Sequence, residues 1–464
     1  MKVVFINPYE LGRQSLAIAA PVAVLKAQGF VVDSIDLALQ RLTADKLQDA
    51  GVVAIHLGMH TATRIAAAAL PRIREFAPQA RICVYGWYAA ANARLFYSLG
   101  AIAAFSGEIE EALRVFVCQV RDGQADLEQE YSKPLVITDV IPWQMPERSG
   151  MPALDRYAKL VLADNSQHTV GFVETTRGCK HRCRHCPVVP VYQGRFRAIP
   201  RAIVLGDIRQ QVAAGAQHIS FGDPDFLNGP GHAIRILEAM HAEFPTLSFD
   251  ATIKVSHLLA QQALLPRLRE WGCLFITSAV ESTDDAILEK LQKGHCCADF
   301  EAVVQLLRSS NIVLSPTFVP FTPWTSLSGY CALLEHIVRL QLVDAVPSIQ
   351  LAIRLLIPAG SWLLKDADLL RFCNDFDPQL LGYPWQHPQP AVDRLQQQIQ
   401  NVVEDGDRNN QGRQQVFAQI WQLAHQVAGN DVALPELSSC RAIPHLSESW
   451  YCCAEPTSQQ LQQF

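Results

Sequence analysis

Cys179, Cys183 and Cys186 fall in the stretch Glu174-Thr-Thr-Arg-Gly-Cys-Lys-His-Arg-Cys-Arg-His-Cys-Pro187, with the spacing C-x3-C-x2-C. Thiolates are soft ligands and suit iron–sulfur clusters. One short loop of this kind can wrap three corners of a cubane and leave the fourth iron without a protein ligand. That open position is what a catalytic metal needs. Gly178, just before the first cysteine, lets the backbone turn tightly into the cluster. The competing reading is a Cys3His zinc site completed by His181 or His185. Structural zinc sites usually draw their ligands as two separated pairs, and no second cysteine pair lies at that distance here. Lys180, Arg182 and Arg184 make the loop polar, which argues against three cysteines that merely fill a core.

A second group of thiols stands at the other end of the chain. Cys452 and Cys453 precede Ala454-Glu455-Pro456, and Cys440 lies a little upstream. The adjacent pair could act in redox, since a disulfide between neighbours is strained and readily reduced. The three could instead converge on a soft metalloid. A mobile thiol-bearing end is the bland alternative; Trp450 and Tyr451 argue for docking. Of the remaining cysteines, Cys83, Cys118 and Cys273 sit in apolar stretches and read as core.

The elements that must position these groups follow from pattern and length. With 464 residues, 49 % hydrophobic and 18 % charged, the chain can bury large cores and divides into two or three domains. Lys2–Asn7, Phe30–Leu37, Val52–Leu57 and Arg81–Tyr85 read as strands, with helices over Ser15–Gln28 and Ala62–Phe76 between them. Such alternation implies a doubly wound parallel sheet over residues 1–125. The G-x-G-x-x-G fingerprint is absent after the first strand, which argues against NAD. A charged, proline-rich linker covers 126–165. Strands at Val170–Glu174, His218–Phe221, Ser248–Ile253, Leu274–Val280, Val313–Phe318 and Ser348–Ile353, with helices between, make six βα units over 166–360. They predict a partial (β/α)6 barrel whose chemistry sits at the C-terminal strand ends. The last part, 361–464, reads as helical, with Val392, Leu395, Ile399 and Val403 on one face and Val416, Ile420, Leu423 and Val427 on another.

The cysteine spacing directly after a strand resembles the signature of the radical S-adenosylmethionine (SAM) superfamily. The resemblance implies a [4Fe–4S] cluster on Cys179, Cys183 and Cys186. Its open iron would be chelated by the amino and carboxylate groups of SAM, and an electron from it would break a sulfonium C–S bond. His185 holds the place of the family's aromatic residue near the adenine. Gly222-Asp223 resembles the motif that binds the SAM amino group, although the common second glycine and glutamate are not preserved; alone, Gly-Asp-Pro reads as a turn. Glu281-Ser282 resembles the segment that meets the SAM ribose. Lys254 could meet the SAM carboxylate or be a solvated strand-end lysine, and Arg354 has the same two readings.

A Rossmann-like domain ahead of such a barrel resembles the cobalamin-dependent branch, with Ile55-His56-Leu57-Gly58 and Tyr85-Gly86-Trp87-Tyr88 where corrin contacts would fall. The Asp-x-His-x-x-Gly motif is absent, and Trp87 and Tyr88 count against a corrin where small glycines often sit. Cobalamin therefore stays open. The Cys452-Cys453-Ala-Glu-Pro tail resembles the CUAEP/CCAEP-tail radical SAM family, in which selenium-using members carry selenocysteine at the place of Cys453. That family includes the enzyme that joins the 3-amino-3-carboxypropyl group of SAM to arsenite on the way to arsinothricin. The resemblance therefore implies a transferase with a small-molecule or metalloid substrate, tail thiols that hold it, and a one-electron donor of flavodoxin or ferredoxin type. The broader alternatives are a 5′-deoxyadenosyl-radical or cobalamin-dependent enzyme on a carbon substrate, and a non-enzymatic thiol-based metalloid sensor. A net charge of −6 without a basic run points away from nucleic acid. No signal peptide and no membrane span are read, so the expected location is cytoplasmic.

Overall fold

The computed structural model describes residues 1–430, 432–437 and 442–448. The tail cysteines Cys440, Cys452 and Cys453 lie outside the described residues. The first unit is a parallel six-stranded sheet. Its strands are β1 (Lys2–Asn7), β2 (Val31–Asp36), β3 (Ala50–His56), β4 (Arg81–Tyr85), β5 (Ala103–Gly107) and β6 (Leu135–Ile137). Their order is β2-β1-β3-β4-β5-β6. Side chains of β1 alternate between the two faces. Val4 and Ile6 pack in one core, with helix His60–Phe76; Val3 and Phe5 pack in the other, with helices Leu16–Ala27 and Glu110–Arg121. The four strands read from the sequence are present. β5 and β6 were not foreseen: Ala103-Ala-Phe-Ser-Gly is too small-residued to stand out, and β6 lies within the segment read as a linker.

The second sheet holds β7 (Lys159–Val161), β8 (Gln167–Val173), β11 (His218–Phe221), β12 (Ser248–Thr252), β13 (Cys273–Glu281), β14 (Val313–Phe318) and β15 (His445–Leu446). A separate two-stranded ribbon joins β9 (Thr176–Gly178) to β10 (Phe196–Ala198). From β8 through β11, β12 and β13 to β14 all pairings are parallel, giving the open half-barrel of an α/β fold. β7 and β15 add antiparallel strands on the β8 side. The sixth expected strand is a correction. Ser348–Leu351 is a 3-10 turn, and only Phe321 and Arg354 bridge in parallel beyond it. The cause is Gln350, whose side-chain carbonyl accepts the Phe318 N–H at 3.0 Å. A side chain thus takes the place of the next strand's backbone.

Helices Pro390–Arg408 and Arg413–Val427 present their expected apolar faces to the barrel core, which contains Val392, Leu395, Ile399, Val403, Val416 and Ile420. Arg148, within 126–165, is buried and grips Asp207 with two hydrogen bonds of 2.7 and 2.8 Å. Its other donors reach the Gln14 and Phe172 carbonyls, so this one cation ties both sheets together. No helix among the described residues is long and apolar enough to cross a membrane.

Candidate active site

The C-terminal ends of both sheets open onto one cavity. From the first sheet come Tyr9 and Glu10 after β1, Gly58 after β3, Gly86 and Trp87 after β4, and Glu110 after β5. From the half-barrel come the three loop cysteines, His181, His185, Gly222, Lys254, Glu281 and Lys293. Open α/β sheets and barrels both place ligands at these strand ends, because loops there can vary without disturbing the core.

The cysteine loop leaves β8 and is closed by the β9–β10 ribbon, in which Gly178 pairs with Phe196. Gly178 has φ +74°, and a Cβ there would stand 2.5 Å from the Tyr192 ring and 2.6 Å from the Arg195 carbonyl oxygen. Only glycine fits. Cys179 and Cys183 are buried and Cys186 half-buried. Asn228 holds the loop, donating to the Gly178 carbonyl at 3.3 Å and accepting the Lys180 N–H at 3.2 Å. Burial pushes the Cys179 thiol up to about 11. Metal coordination must therefore draw the thiolate out. His185 faces Glu281 and His181 faces Asp225, so neither completes a Cys3His set. Three thiols, with no further ligand shown beside them among the described residues, fit a [4Fe–4S] cluster with one open iron.

Glu281 ends β13 at a register shift and has φ +71°, in the left-handed region that costs a non-glycine residue of order 1–3 kcal/mol. Its Oε1 accepts from Lys293 Nζ at 3.2 Å and lies 3.0 Å from His185 Nε2. Burial works to raise this carboxyl, but Lys293 and His185 outweigh it and hold it at about 2. Nothing local in the sequence singles out Lys293, which stands twelve residues after its partner. Lys254 is buried, not solvated, and donates to the Lys293 carbonyl at 2.6 Å and to Cys183 Sγ at 3.5 Å.

Gly222 lines the cavity, and a Cβ there would enter the Phe172 ring. Asp223 does not join it. Its carboxylate accepts the Thr175 N–H at 2.9 Å and the Thr175 and Thr176 hydroxyls at 2.7 and 2.6 Å. These partners belong to the strand end that leads into the cysteine loop, which the parallel β8–β11 pairing brings alongside. Ser282 is also turned away; its hydroxyl accepts the Asp284 N–H at 3.0 Å and shapes a turn. Arg354 pairs with Asp393 at 2.7 Å and stacks on Trp385, anchoring a C-terminal helix.

On the opposite wall, Arg177 sits between Glu110 at 2.6 Å, Glu108 at 3.3 Å and Glu174 at 3.5 Å, linking the first sheet to β9. Burial pushes the cavity-lining Glu174 up to about 8, against the pull of Arg177. His56 Nδ1 lies 3.2 Å from Glu10 Oε2. Tyr88 is 3 % exposed and packs in the first unit's core with Trp87 against it, and both border the cavity at this loop.

Residues 173–322 match the family model of the Radical SAM superfamily, and this half-barrel is a radical SAM domain. Cofactors of that family are a [4Fe–4S] cluster and SAM. A similar sequence is the tRNA-2-methylthio-N(6)-dimethylallyladenosine synthase of Chlorobium chlorochromatii (strain CaD3), 29 % identical over 189 residues, 38 % of this chain and 39 % of that one. Another is the ribosomal protein uS12 methylthiotransferase RimO of Desulfotalea psychrophila (strain LSv54 / DSM 12343), 24 % identical over 41 % of this chain and 44 % of that one. The matches thus span about two fifths of these relatives' length. Among solved structures, the cobalamin-dependent SAM radical enzyme OxsB with aqua-cobalamin and SAM bound superposes with a TM-score of 0.68 at 14 % identity, covering 87 % of this chain and 67 % of that one. The radical SAM methyltransferase TsrM from Kitasatospora setae, with tryptophan and a SAM analogue bound, gives 0.61 at 17 % identity, covering 73 % and 71 %. These likenesses include the first sheet and establish the fold.

Proposed function

We propose that this radical SAM enzyme transfers a carbon fragment of SAM to a soft acceptor held by the tail thiols, with the 3-amino-3-carboxypropyl group and arsenite as the most specific pair. The observation that carries this reading is the route of the tail. β15 pairs with β7, and Lys159 and Ser447 exchange hydrogen bonds of 2.8 and 2.9 Å. Glu448 then accepts a hydrogen bond from Tyr9, whose ring lines the cavity. Cys452 and Cys453 follow in sequence within roughly 14–18 Å of fully extended chain. Cys440 precedes the same anchored segment.

A [4Fe–4S] cluster held here would offer one iron to the amino and carboxylate groups of SAM and would supply the electron that breaks one sulfonium C–S bond. Cys179, Cys183 and Cys186 hold it. Lys254 places a cation on Cys183. Glu281, kept ionised by Lys293, offers carboxylate oxygen to a hydroxyl pair such as that of a ribose. The loops after β1, β3 and β4 cover the other side and keep water from the reacting atoms. The barrel shared with the tRNA- and ribosomal-protein-modifying relatives serves the cofactors; acceptor choice belongs to the first sheet and the tail.

A second reading is methyl transfer through cobalamin. It is favoured by the first sheet's strand ends facing the same cavity, with Gly86 at φ +117° after β4. One experiment separates the readings. Protein prepared without oxygen and reconstituted with iron and sulfide is given dithionite and SAM, with and without arsenite, and the released nucleoside is identified. 5′-Methylthioadenosine that forms only with arsenite supports the first reading. S-adenosylhomocysteine from protein holding a corrin supports the second. 5′-Deoxyadenosine alone returns the acceptor to carbon chemistry, and no SAM cleavage overturns both.

A further inference from the structure

Beside the cysteine loop, three side chains far apart in sequence meet at a point the reaction above does not use. His181 comes from the loop itself, Asp225 from the turn after β11, and His257 from the helix Val255–Ala260 after β12. Asp225 Oδ2 lies 3.2 Å from His181 Nε2 and 2.6 Å from His257 Nδ1. All three atoms fall within 4.8 Å of one another. Yet none of the three is in hydrogen-bond geometry with any partner. The other carboxylate oxygen, Oδ1, accepts the backbone N–H groups of Leu227 and Lys254, at 3.3 and 3.5 Å, and this leaves Oδ2 facing the rings. Asp225 is fully buried, and its Oδ2 meets the two ring nitrogens without an aligned hydrogen bond, an oxygen whose negative charge a shared cation would neutralise.

We infer that His181, Asp225 and His257 bind one divalent transition-metal ion, of the zinc class, separate from the cluster. Two imidazoles and a carboxylate are an ordinary donor set for it, with the fourth position left to water. The ion ties the cysteine loop to the turn after β11 and the helix after β12, fixing the His181 backbone between Cys179 and Cys183. The inference rests on the reading that the three cysteines carry the cluster, and the test keeps the two apart: iron and sulfide report the cluster, zinc reports this site.

Cluster-loaded protein is equilibrated anaerobically with Zn2+, desalted, and its zinc, iron and sulfide are counted. The zinc X-ray absorption edge then gives the ligands. The expected result is one zinc per chain beside four irons, with nitrogen and oxygen neighbours at about 2.0–2.2 Å and no sulfur at about 2.3 Å. His257→Gln, which keeps a donor toward Asp225 but removes the imidazole, should lower bound zinc at least tenfold while iron stays at four. Absence of zinc, a sulfur shell around it, or full retention of zinc in His257→Gln would overturn the inference. The edge spectrum of the unaltered protein decides even if the variant folds poorly.

Discussion

The ammonium of Lys293 stands 3.2 Å from Glu281 Oε1, with the two side chains 3 % and 6 % exposed. Lysine and glutamate are rarely so buried unless paired. Breaking such a pair from one side leaves an uncompensated charge, which costs about 3–5 kcal/mol. Lys293→Met should therefore lower the unfolding free energy by about that amount. Urea unfolding of the unaltered chain, both single variants and Lys293→Met/Glu281→Gln checks it. The double variant should recover at least half of the loss, because it removes both charges; strict additivity of the single losses would show that the two groups do not act as a pair.

Glu174 gives the site a pH dependence of known sign. Burial raises its carboxyl from 4.5 to about 8. The folded chain thus holds a proton there that the unfolded chain releases. The associated stability is present in full below about pH 4.5 and is lost as pH rises through about 8. Glu174→Gln removes the titration. The melting temperature of the unaltered protein minus that of Glu174→Gln should fall steadily between pH 6 and about 8.5. A difference that stays flat, or rises, contradicts a raised carboxyl.

The contact between Gly222 and Phe172 is a steric prediction. A Cβ at Gly222 would enter the Phe172 ring, so Gly222→Ala forces the ring toward the cavity. Overpacking of this kind costs about 1–3 kcal/mol. SAM binding, followed by calorimetry, should weaken with it. Adding Phe172→Leu should restore both stability and binding. If the double variant binds no better than Gly222→Ala, the ring is not what the methyl group displaces.

What was legible in the chain follows from the range of the forces involved. Val3 to Ile6 is an apolar run that announces itself locally, and the i, i+3, i+7 spacing of Val392, Leu395 and Ile399 does the same for a helix. The cysteine loop was legible because one short segment holds all three thiols. Lys293, Asp225 and His257 were not, since charged and polar residues gain meaning only when distant strands bury them together. Asp223 was assigned to the cofactor on its place in a motif, but Thr175 and Thr176 reach its carboxylate across the β8–β11 pairing. At the sixth strand position the backbone pattern gave way to one side chain, that of Gln350.

The hydrogen bond from Tyr9 to Glu448 is where the proposed role of the tail can be separated from cofactor chemistry. Tyr9 follows β1 and lines the cavity, whereas Glu448 ends the described tail. Neither touches the cysteine loop in the contacts described above. If this bond delivers Cys452 and Cys453 to the acceptor, losing it should weaken acceptor use and spare cofactor loading. A hydrogen bond to a charged group contributes about 1.5–3 kcal/mol, so Tyr9→Phe should raise the KM for arsenite by about tenfold to a hundredfold. Iron content and the KM for SAM should remain as in the unaltered protein. Glu448→Gln, which still accepts a hydrogen bond but without charge, should fall between the two. Steady-state kinetics with 5′-methylthioadenosine as the readout decides: a matching rise in the KM for SAM would place Tyr9 with the cofactor, and no change in either would detach the Tyr9–Glu448 contact from function.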